Sequence, residues 1–130
     1  MMFRLAIIMI LFLNSCNSST PDNIKYISTS DYILSSSDVA ELIDVRTPTE
    51  FDSGHIQDAV NIDFFSESFQ TEILSLNKDS KIILYCRTNN RSSKSADLLK
   101  NNGFKDINVI MGGISEWVKN GNDIVYPKSD

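Results

Sequence analysis

Four consecutive apolar residues at 82–85, Ile-Ile-Leu-Tyr, limit the folds open to this chain more than any other segment. The run is short and shows no alternation of polar and apolar residues, so as a strand it needs cover on both faces. Such strands are typical of the centre of a parallel sheet with helices on both sides. The sequence therefore predicts an α/β fold with residues 81–85 as its central strand.

From Lys25 onward, short apolar runs alternate with stretches of helical period, which is the pattern of βα units and a mainly parallel sheet. We predict strands at 26–27, 41–45, 59–62, 81–85 and 106–110. We predict helices at 30–34, 48–53, 65–75, 91–102 and 114–119. Residues 101–103, Asn-Asn-Gly, should stop the fourth helix. In the fifth, Ile114, Trp117 and Val118 should form one apolar face, and residues 124–126 should pack on the domain as an extended tail.

The beginning of the chain has the layout of a bacterial export signal. Arg4 precedes an apolar run, 5–13, that is too short to cross a bilayer core of about 30 Å as a helix. Leu13-Asn14-Ser15-Cys16 resembles the lipobox of bacterial lipoproteins, in which the Cys thiol is lipidated and the chain is cut before it. We therefore expect a signal peptide at 1–15 and a lipidated Cys16 with a flexible tether at 16–23. The protein would then be attached to a membrane of the cell envelope, facing the periplasm or the exterior; an ordinary secretory signal is the alternative.

Charge and composition exclude some classes of protein. The formal net charge is −5 and Lys and Arg form no block or stripe, so the basic surface of a nucleic-acid binder is missing. A chain that is 42% hydrophobic and 22% charged has the composition of a compact domain. We expect one domain, at 24–130, and a monomer.

Cysteine usage narrows the function further. Lipidation of Cys16 would leave Cys86 as the single thiol of a protein in an oxidising compartment. An unpaired thiol there is open to oxidation, so its presence asks for a functional reason. One histidine, His55, and one free cysteine supply no recognisable set of metal ligands, and we expect no metal ion and no cofactor.

Cys86 begins a polar loop, residues 86–91, between the central strand and the fourth helix. Open α/β sheets bind ligands at the carboxyl ends of their strands. A tight turn there directs backbone N–H groups toward an anion, and Arg87 and Arg91 add positive charge. These surroundings favour thiolate over thiol, so Cys86 is predicted to be a nucleophile. A buried, unreactive cysteine at a strand end is the alternative.

Three groups of residues resemble the signatures of the rhodanese family. The first signature is matched by LIDVR at 42–46, Glu50-Phe51, GHI at 54–56 and AVNI at 59–62. The active-site loop is matched by Cys86-x-x-x-x-Arg91-Ser92, and the C-terminal signature by GGI at 112–114 with Trp117. The resemblance spans about residues 24–119 in the family's order. It implies a rhodanese-like three-layer sandwich, with a five-stranded parallel sheet and helices on both faces.

The resemblance also implies an activity, that of a thiosulfate sulfurtransferase. Cys86 would take a sulfane sulfur from a small sulfur anion or a persulfide donor, hold it as a persulfide, and pass it to a thiol or to cyanide. The residues implied to bind the donor and the persulfide are Arg87, Thr88, Asn89, Asn90 and Arg91. The residues implied to support the structure are Asp44, Arg46, Glu50 and His55. Ser92 is expected to form a hydrogen bond back to the loop.

The chain departs from the family pattern at two places. Gln57-Asp58 stands where many members have Pro-Gly, and we expect this to alter a surface turn only. Asn89 stands where the active loop commonly carries Gly. Because Asn tolerates a left-handed backbone better than other non-Gly residues, we expect the loop shape to survive.

Loop length separates the chemistries that this fold supports. Six residues from Cys86 to Arg91 match the sulfurtransferases, whereas the related phosphatases and arsenate reductases have one more, which makes room for a tetrahedral oxyanion. Two alternatives stay open. One is a non-catalytic module that carries a persulfide or recognises a partner, and the other is a cysteine-dependent phosphatase or arsenate reductase.

Overall fold

The computed structural model of the protein describes residues 23–35 and 40–128. The predicted signal peptide, Cys16 and most of the predicted tether lie outside the described residues. Within those two ranges, none of the helices combines the length and the apolar character needed to cross a membrane.

Strands and helices alternate along the chain, as the sequence predicts. The strands are β1 Ile24–Ile27, β2 Ala40–Asp44, β3 Val60–Asn61, β4 Lys81–Tyr85 and β5 Asp106–Ile110. The helices are α1 Thr29–Ser35, α2 Pro48–Asp52, α3 Phe69–Leu74, α4 Asn90–Asn101 and α5 Gly113–Lys119. In the described residues the five strands form one parallel sheet in the order β1-β5-β4-β2-β3. The prediction of a central strand at 81–85 is confirmed.

Side chains of β4 alternate between the two faces of the sheet and so define three layers. Ile82 and Leu84 pack with residues of α3 and α4, among them Ile73 and Leu99. Ile83 and Tyr85 belong to the cluster on the other face, which includes Trp117 of α5 and is contacted by Tyr32 of α1. Burial on both faces is the reason that the strand is apolar without alternation.

Two expectations about apolar residues are wrong. α3 begins at Phe69 rather than at Phe65, because Asp63 Oδ1 accepts a hydrogen bond from the N–H of Phe65 at 2.9 Å and holds the chain in a turn. Phe65 consequently lies outside the helix and is 69% exposed. Val118 is 50% exposed, so the buried face of α5 consists of Ile114 and Trp117.

The chain ends and turns follow their local chemistry. Gly103 has a φ of +85° one residue beyond the C-cap of α4, as expected of a helix stop. Val125 forms an antiparallel bridge with His55, which confirms that the tail packs on the domain. Asp58 takes a φ of +66° in an exposed turn, so the departure from Pro-Gly is confined to that turn.

A buried ion pair joins the end of β2 to the loops around it. Arg46 Nη2 lies 2.7 Å from Asp44 Oδ2 and donates to the carbonyl oxygen of Gly54 at 2.8 Å. Asn61 donates to the carbonyl oxygens of both Asp44 and Arg46. Burial lowers the pKa of Arg46, but the hydrogen bond and charge of Asp44 raise it and prevail. Both charges are therefore compensated, which buried ions require.

Candidate active site around Cys86

The central strand delivers Cys86 to a pocket at the carboxyl end of the sheet. The pocket has a volume of 440 Å³ and is lined by Thr47, Glu50, Phe65, Cys86, Arg87, Thr88, Asn90 and Arg91. Five of the six predicted loop residues therefore meet there, together with Glu50, which was predicted to be structural. Cys86 is only 1% exposed, so a reactant has to enter this pocket to reach the sulfur.

The first turn of α5 holds the carbonyl groups of the loop. Ile114 N–H donates to the carbonyl oxygen of Cys86 at 3.0 Å, and Ser115 N–H donates to that of Arg87 at 3.1 Å. Gly113 makes this close approach possible, because a Cβ there would lie 2.6 Å from the carbonyl oxygen of Thr88 and closer still to that of Cys86. The carbonyls of Cys86 and Arg87 are thus bound on the α5 side.

The loop N–H groups are in a different situation. In the described part of the chain, the N–H groups of residues 87–91 donate to no protein acceptor. Successive N–H groups of this kind in a tight turn form a concave site for an anion. With the carbonyls of Cys86 and Arg87 held by α5, the loop can present these donors to a negatively charged sulfur species.

Ser92 contacts both the nucleophile and the loop. Its Oγ lies 3.3 Å from Cys86 Sγ and 3.2 Å from the carbonyl oxygen of Asn89, and the residue is fully buried. The hydroxyl can accept from the thiol while it donates to Asn89, or it can rotate to donate to the thiolate. The predicted hydrogen bond from Ser92 back to the loop is present.

Arg91 is tied to α2 by a two-pronged ion pair. Its Nη1 and Nη2 lie 2.7 Å and 2.8 Å from the two carboxylate oxygens of Glu50. Glu50 itself is positioned by a capping box with Thr47 at the start of α2. The hydrogen bond between the two side chains lowers the pKa of Glu50 to about 2 and raises the pKa of Arg91. Both groups stay charged at neutral pH, and each largely cancels the field of the other.

Arg87 has no such partner. Its side chain is exposed, and no carboxylate pairs with it among residues 23–35 and 40–128. It lines the same pocket as Cys86. Arg87 is therefore the cation of the pocket whose field is left uncompensated.

Asn89 does not have the left-handed backbone conformation that we expected at this position. Its backbone has φ −138° and ψ −18°, so the left-handed conformation that we expected it to tolerate is not used. Asn89 is not part of the pocket lining, and its Oδ1 accepts a hydrogen bond from the N–H of Gly112 at 3.0 Å. The asparagine thus links the loop to the turn that precedes α5.

The remaining predicted residues lie around this centre. His55 stacks on Phe51 with ring centroids 3.7 Å apart, and its Nδ1 lies 3.1 Å from the Phe51 carbonyl oxygen, outside the pocket lining. Two lining residues escaped the sequence analysis, Thr47 and Phe65. Thr47 had a signal, because T-P-T-E at 47–50 is a capping-box pattern, whereas the position of Phe65 depends on the turn that replaces the start of the predicted helix.

Replacing Gly113 tests the contact between α5 and the loop. We expect Gly113→Ala to lower the free energy of unfolding by about 1–3 kcal/mol more than Gly121→Ala, because the new Cβ overlaps the loop carbonyls. Gly121 is the matched control, since its φ is +79° but a Cβ added there would have no atom within 4 Å. Urea unfolding of the two variants measures the difference. Equal losses would mean that the backbone conformation alone matters.

The Glu50–Arg91 pair predicts a pH dependence. The pKa of Glu50 is about 2 in the folded chain and ordinarily 4.5. As the pH falls, the unfolded chain therefore takes up this proton at a higher pH than the folded chain does. The stabilisation is therefore complete above about pH 5 and is lost as the pH falls toward 2. We expect Glu50→Gln to be less stable than the unmodified protein at pH 7, with a difference that shrinks between pH 5 and pH 2.5. Urea unfolding at each pH measures the difference between the two proteins. A difference that stays constant over this pH range would contradict the assignment.

Known proteins share this fold and parts of this sequence. A rhodanese-related protein from Thermoplasma volcanium superposes with a TM-score of 0.69 at 27% identity, over 78% of this chain and 97% of that one. A rhodanese-like domain protein from Staphylococcus aureus gives 0.66 at 27% identity, over 80% and 99%. The human single-domain sulfurtransferase TSTD1 is similar in fold, with a TM-score of 0.61 at 21% identity, over 72% and 95%.

This chain spans only part of the length of the curated relatives that it matches by sequence. The uncharacterized protein YqhL of Bacillus subtilis is 37% identical over 78 residues, which are 60% of each chain. The tRNA uridine(34) hydroxylase of Escherichia coli is 35% identical over 92 residues, 68% of this chain but only 26% of the enzyme.

The family model of the rhodanese-like domain matches residues 30–120, which include the loop that follows β4 and the first turn of α5. The parallel sheet, the order of the helices and the match over most of the chain agree with one another. The protein belongs to the rhodanese-like domain family.

Proposed function

We propose that the protein is a sulfurtransferase of the thiosulfate sulfurtransferase type, with a persulfide on Cys86 as its intermediate. The observation that carries the proposal is the loop of residues 87–91, whose N–H groups have no acceptor in the described part of the chain while α5 holds the carbonyls of Cys86 and Arg87. A row of N–H donors beside a thiol suits an anionic persulfide, which carries its charge on the outer sulfur.

Sulfur transfer then proceeds by two displacements. The Cys86 thiolate attacks the outer sulfur of thiosulfate, the S–S bond of the donor breaks, and sulfite leaves with the bonding electron pair. The acceptor, a thiolate or cyanide, attacks the outer sulfur of the persulfide, and Cys86 leaves as a thiolate. A thiol acceptor releases its proton to the solvent before this attack. No electrons are gained or lost overall, so no cofactor is required.

The residues around Cys86 have different roles in this reaction. The N–H groups of the loop hold the persulfide, and Ser92 Oγ, 3.3 Å from Cys86 Sγ, can donate to the thiolate when it leaves. Arg87, the cation without a carboxylate partner in the described residues, draws in the donor anion. Arg91, paired with Glu50, fixes the far end of the loop and contributes little net charge.

Intact mass measures persulfide formation directly. We expect the chain from Asn17 onward to gain the mass of one sulfur atom after incubation with thiosulfate, and Cys86→Ser to gain none. Addition of cyanide should then remove the sulfur and release thiocyanate.

Each other outcome identifies an alternative. Loading without repeated turnover would indicate a persulfide carrier or an interaction module. Hydrolysis of an aryl phosphate that depends on Cys86 would indicate a phosphatase. A folded protein with a reduced thiol that gains no sulfur from thiosulfate or from an organic persulfide would refute the sulfurtransferase.

We further propose that the domain is a monomer held at a bacterial cell envelope, facing the periplasm or the exterior, by lipid on Cys16. The support is the apolar run at 5–13 followed by Leu13-Asn14-Ser15-Cys16. We expect the full chain to incorporate labelled fatty acid in a bacterial host and Cys16→Ser to incorporate none. Export without labelling would indicate an ordinary secretory signal instead.

A further inference from the structure

A second depression adjoins the pocket of Cys86. It has a volume of 570 Å³, and we call it the α5 depression because Ile114, Ser115 and Val118 of that helix line it with Arg46 and Ser53. Glu50 and Arg87 line both cavities, so the two are direct neighbours. The α5 depression alone has the size of a site for a drug-sized ligand, far more than sulfite or cyanide occupies.

The pocket of Cys86 and the α5 depression together form a groove. Its lining includes two exposed apolar side chains, one uncompensated cation and two compensated ones. Phe65, 69% exposed, lines only the pocket of Cys86, and Val118, 50% exposed, lines only the α5 depression. Between these two apolar side chains stands Arg87. The other two guanidinium groups are already compensated, Arg46 by Asp44 and Arg91 by Glu50.

A carboxylate is the natural partner of the uncompensated Arg87. Arg87 attracts a carboxylate, whereas the chain as a whole carries a formal net charge of −5 and repels acidic molecules elsewhere. An occupant that satisfies the whole groove needs a carboxylate flanked by apolar groups. An extended polypeptide meets this description, whereas a small thiol such as glutathione has carboxylates but no apolar side chain.

We propose that the groove docks the sulfur acceptor, and that this acceptor is a cysteine in an extended, acidic and apolar segment of another protein. The proposal rests on the sulfurtransferase function proposed above. The acceptor thiolate attacks the outer sulfur of the Cys86 persulfide, that S–S bond breaks, and Cys86 leaves as a thiolate. The acceptor becomes a persulfide, and its thiol proton has gone to the solvent. Val118 contacts the bound segment and Arg87 pairs with its carboxylate.

Val118→Asp tests the docking surface, with Leu34→Asp as its control. Leu34 is 82% exposed on α1 and lines neither cavity, so the same substitution there leaves the groove intact. The full chain, kept in detergent, is loaded with thiosulfate and freed of excess donor. Sulfur transfer is then measured to cyanide, to glutathione and to a synthetic peptide that carries leucine, aspartate and one cysteine.

We expect kcat/KM for the acidic peptide to fall about tenfold in Val118→Asp and to change by less than about twofold in Leu34→Asp. Loading by thiosulfate is carried to completion in both variants, so a carboxylate at position 118 that partly compensates Arg87 changes only the time that loading takes. Discharge to cyanide should be unchanged in both, because neither residue lines the pocket of Cys86. The unmodified chain should also prefer the peptide to its aspartate-to-lysine counterpart. Wild-type transfer to the peptide in Val118→Asp, or equal transfer to glutathione and the peptide in the unmodified chain, would overturn the proposal.

A binding measurement separates docking from chemistry. A labelled peptide with serine in place of its cysteine should bind the unmodified chain and bind Val118→Asp about tenfold more weakly, as measured by fluorescence polarisation. If the chain takes up no sulfur but binds the peptide in this way, the sulfurtransferase function fails and the docking surface stands. If sulfur is transferred but Val118→Asp leaves peptide binding unchanged, the docking surface is refuted alone.

Discussion

The site depends on the hydrogen bonds that the first turn of α5 donates to the carbonyl groups of Cys86 and Arg87. These two bonds decide which side of the loop presents its carbonyls and which side presents its N–H groups. They require Gly113, since a side chain there would occupy the space of the loop backbone. α5 is in turn held to the sheet by Trp117, which is buried and donates from its indole N–H to the carbonyl oxygen of Asp123 at 2.7 Å.

Charge compensation then determines how the three arginines near the site differ. Arg46 is buried with Asp44 and supports the loops at the end of β2. Arg91 is paired with Glu50 and is 5.5 Å from the ring centroid of Phe65, so it shapes the pocket more than it charges it. Arg87 is left to act on anions that approach from solvent. One positive charge thus lies at the point where the two cavities meet, although all three arginines have the same side chain.

The asparagine at position 89, where the sequence resemblance leads one to expect a glycine, contributes through its side chain. A glycine contributes backbone freedom, but here the backbone of residue 89 lies outside the left-handed region. The carboxamide instead accepts from Gly112 N–H and adds a contact between the loop and the turn before α5. The loop is therefore held to α5 and the turn before it through Cys86, Arg87 and Asn89.

The sequence by itself determined the fold class, the central strand and the position of the thiol. These follow from local patterns: an apolar run without alternation, helical period on either side of it, and a polar loop at the carboxyl end of the strand. Only the tertiary structure decided the start of α3, the exposure of Phe65 and Val118, the partner of Arg91 and the role of Asn89. Glu50 and Arg91 are 41 positions apart, and Asn89 and Gly112 are 23 apart, so no periodicity along the chain relates them. Their pairing depends on how the helices pack around the sheet, and that packing is what converts a row of polar residues into an uncompensated cation beside a buried thiol.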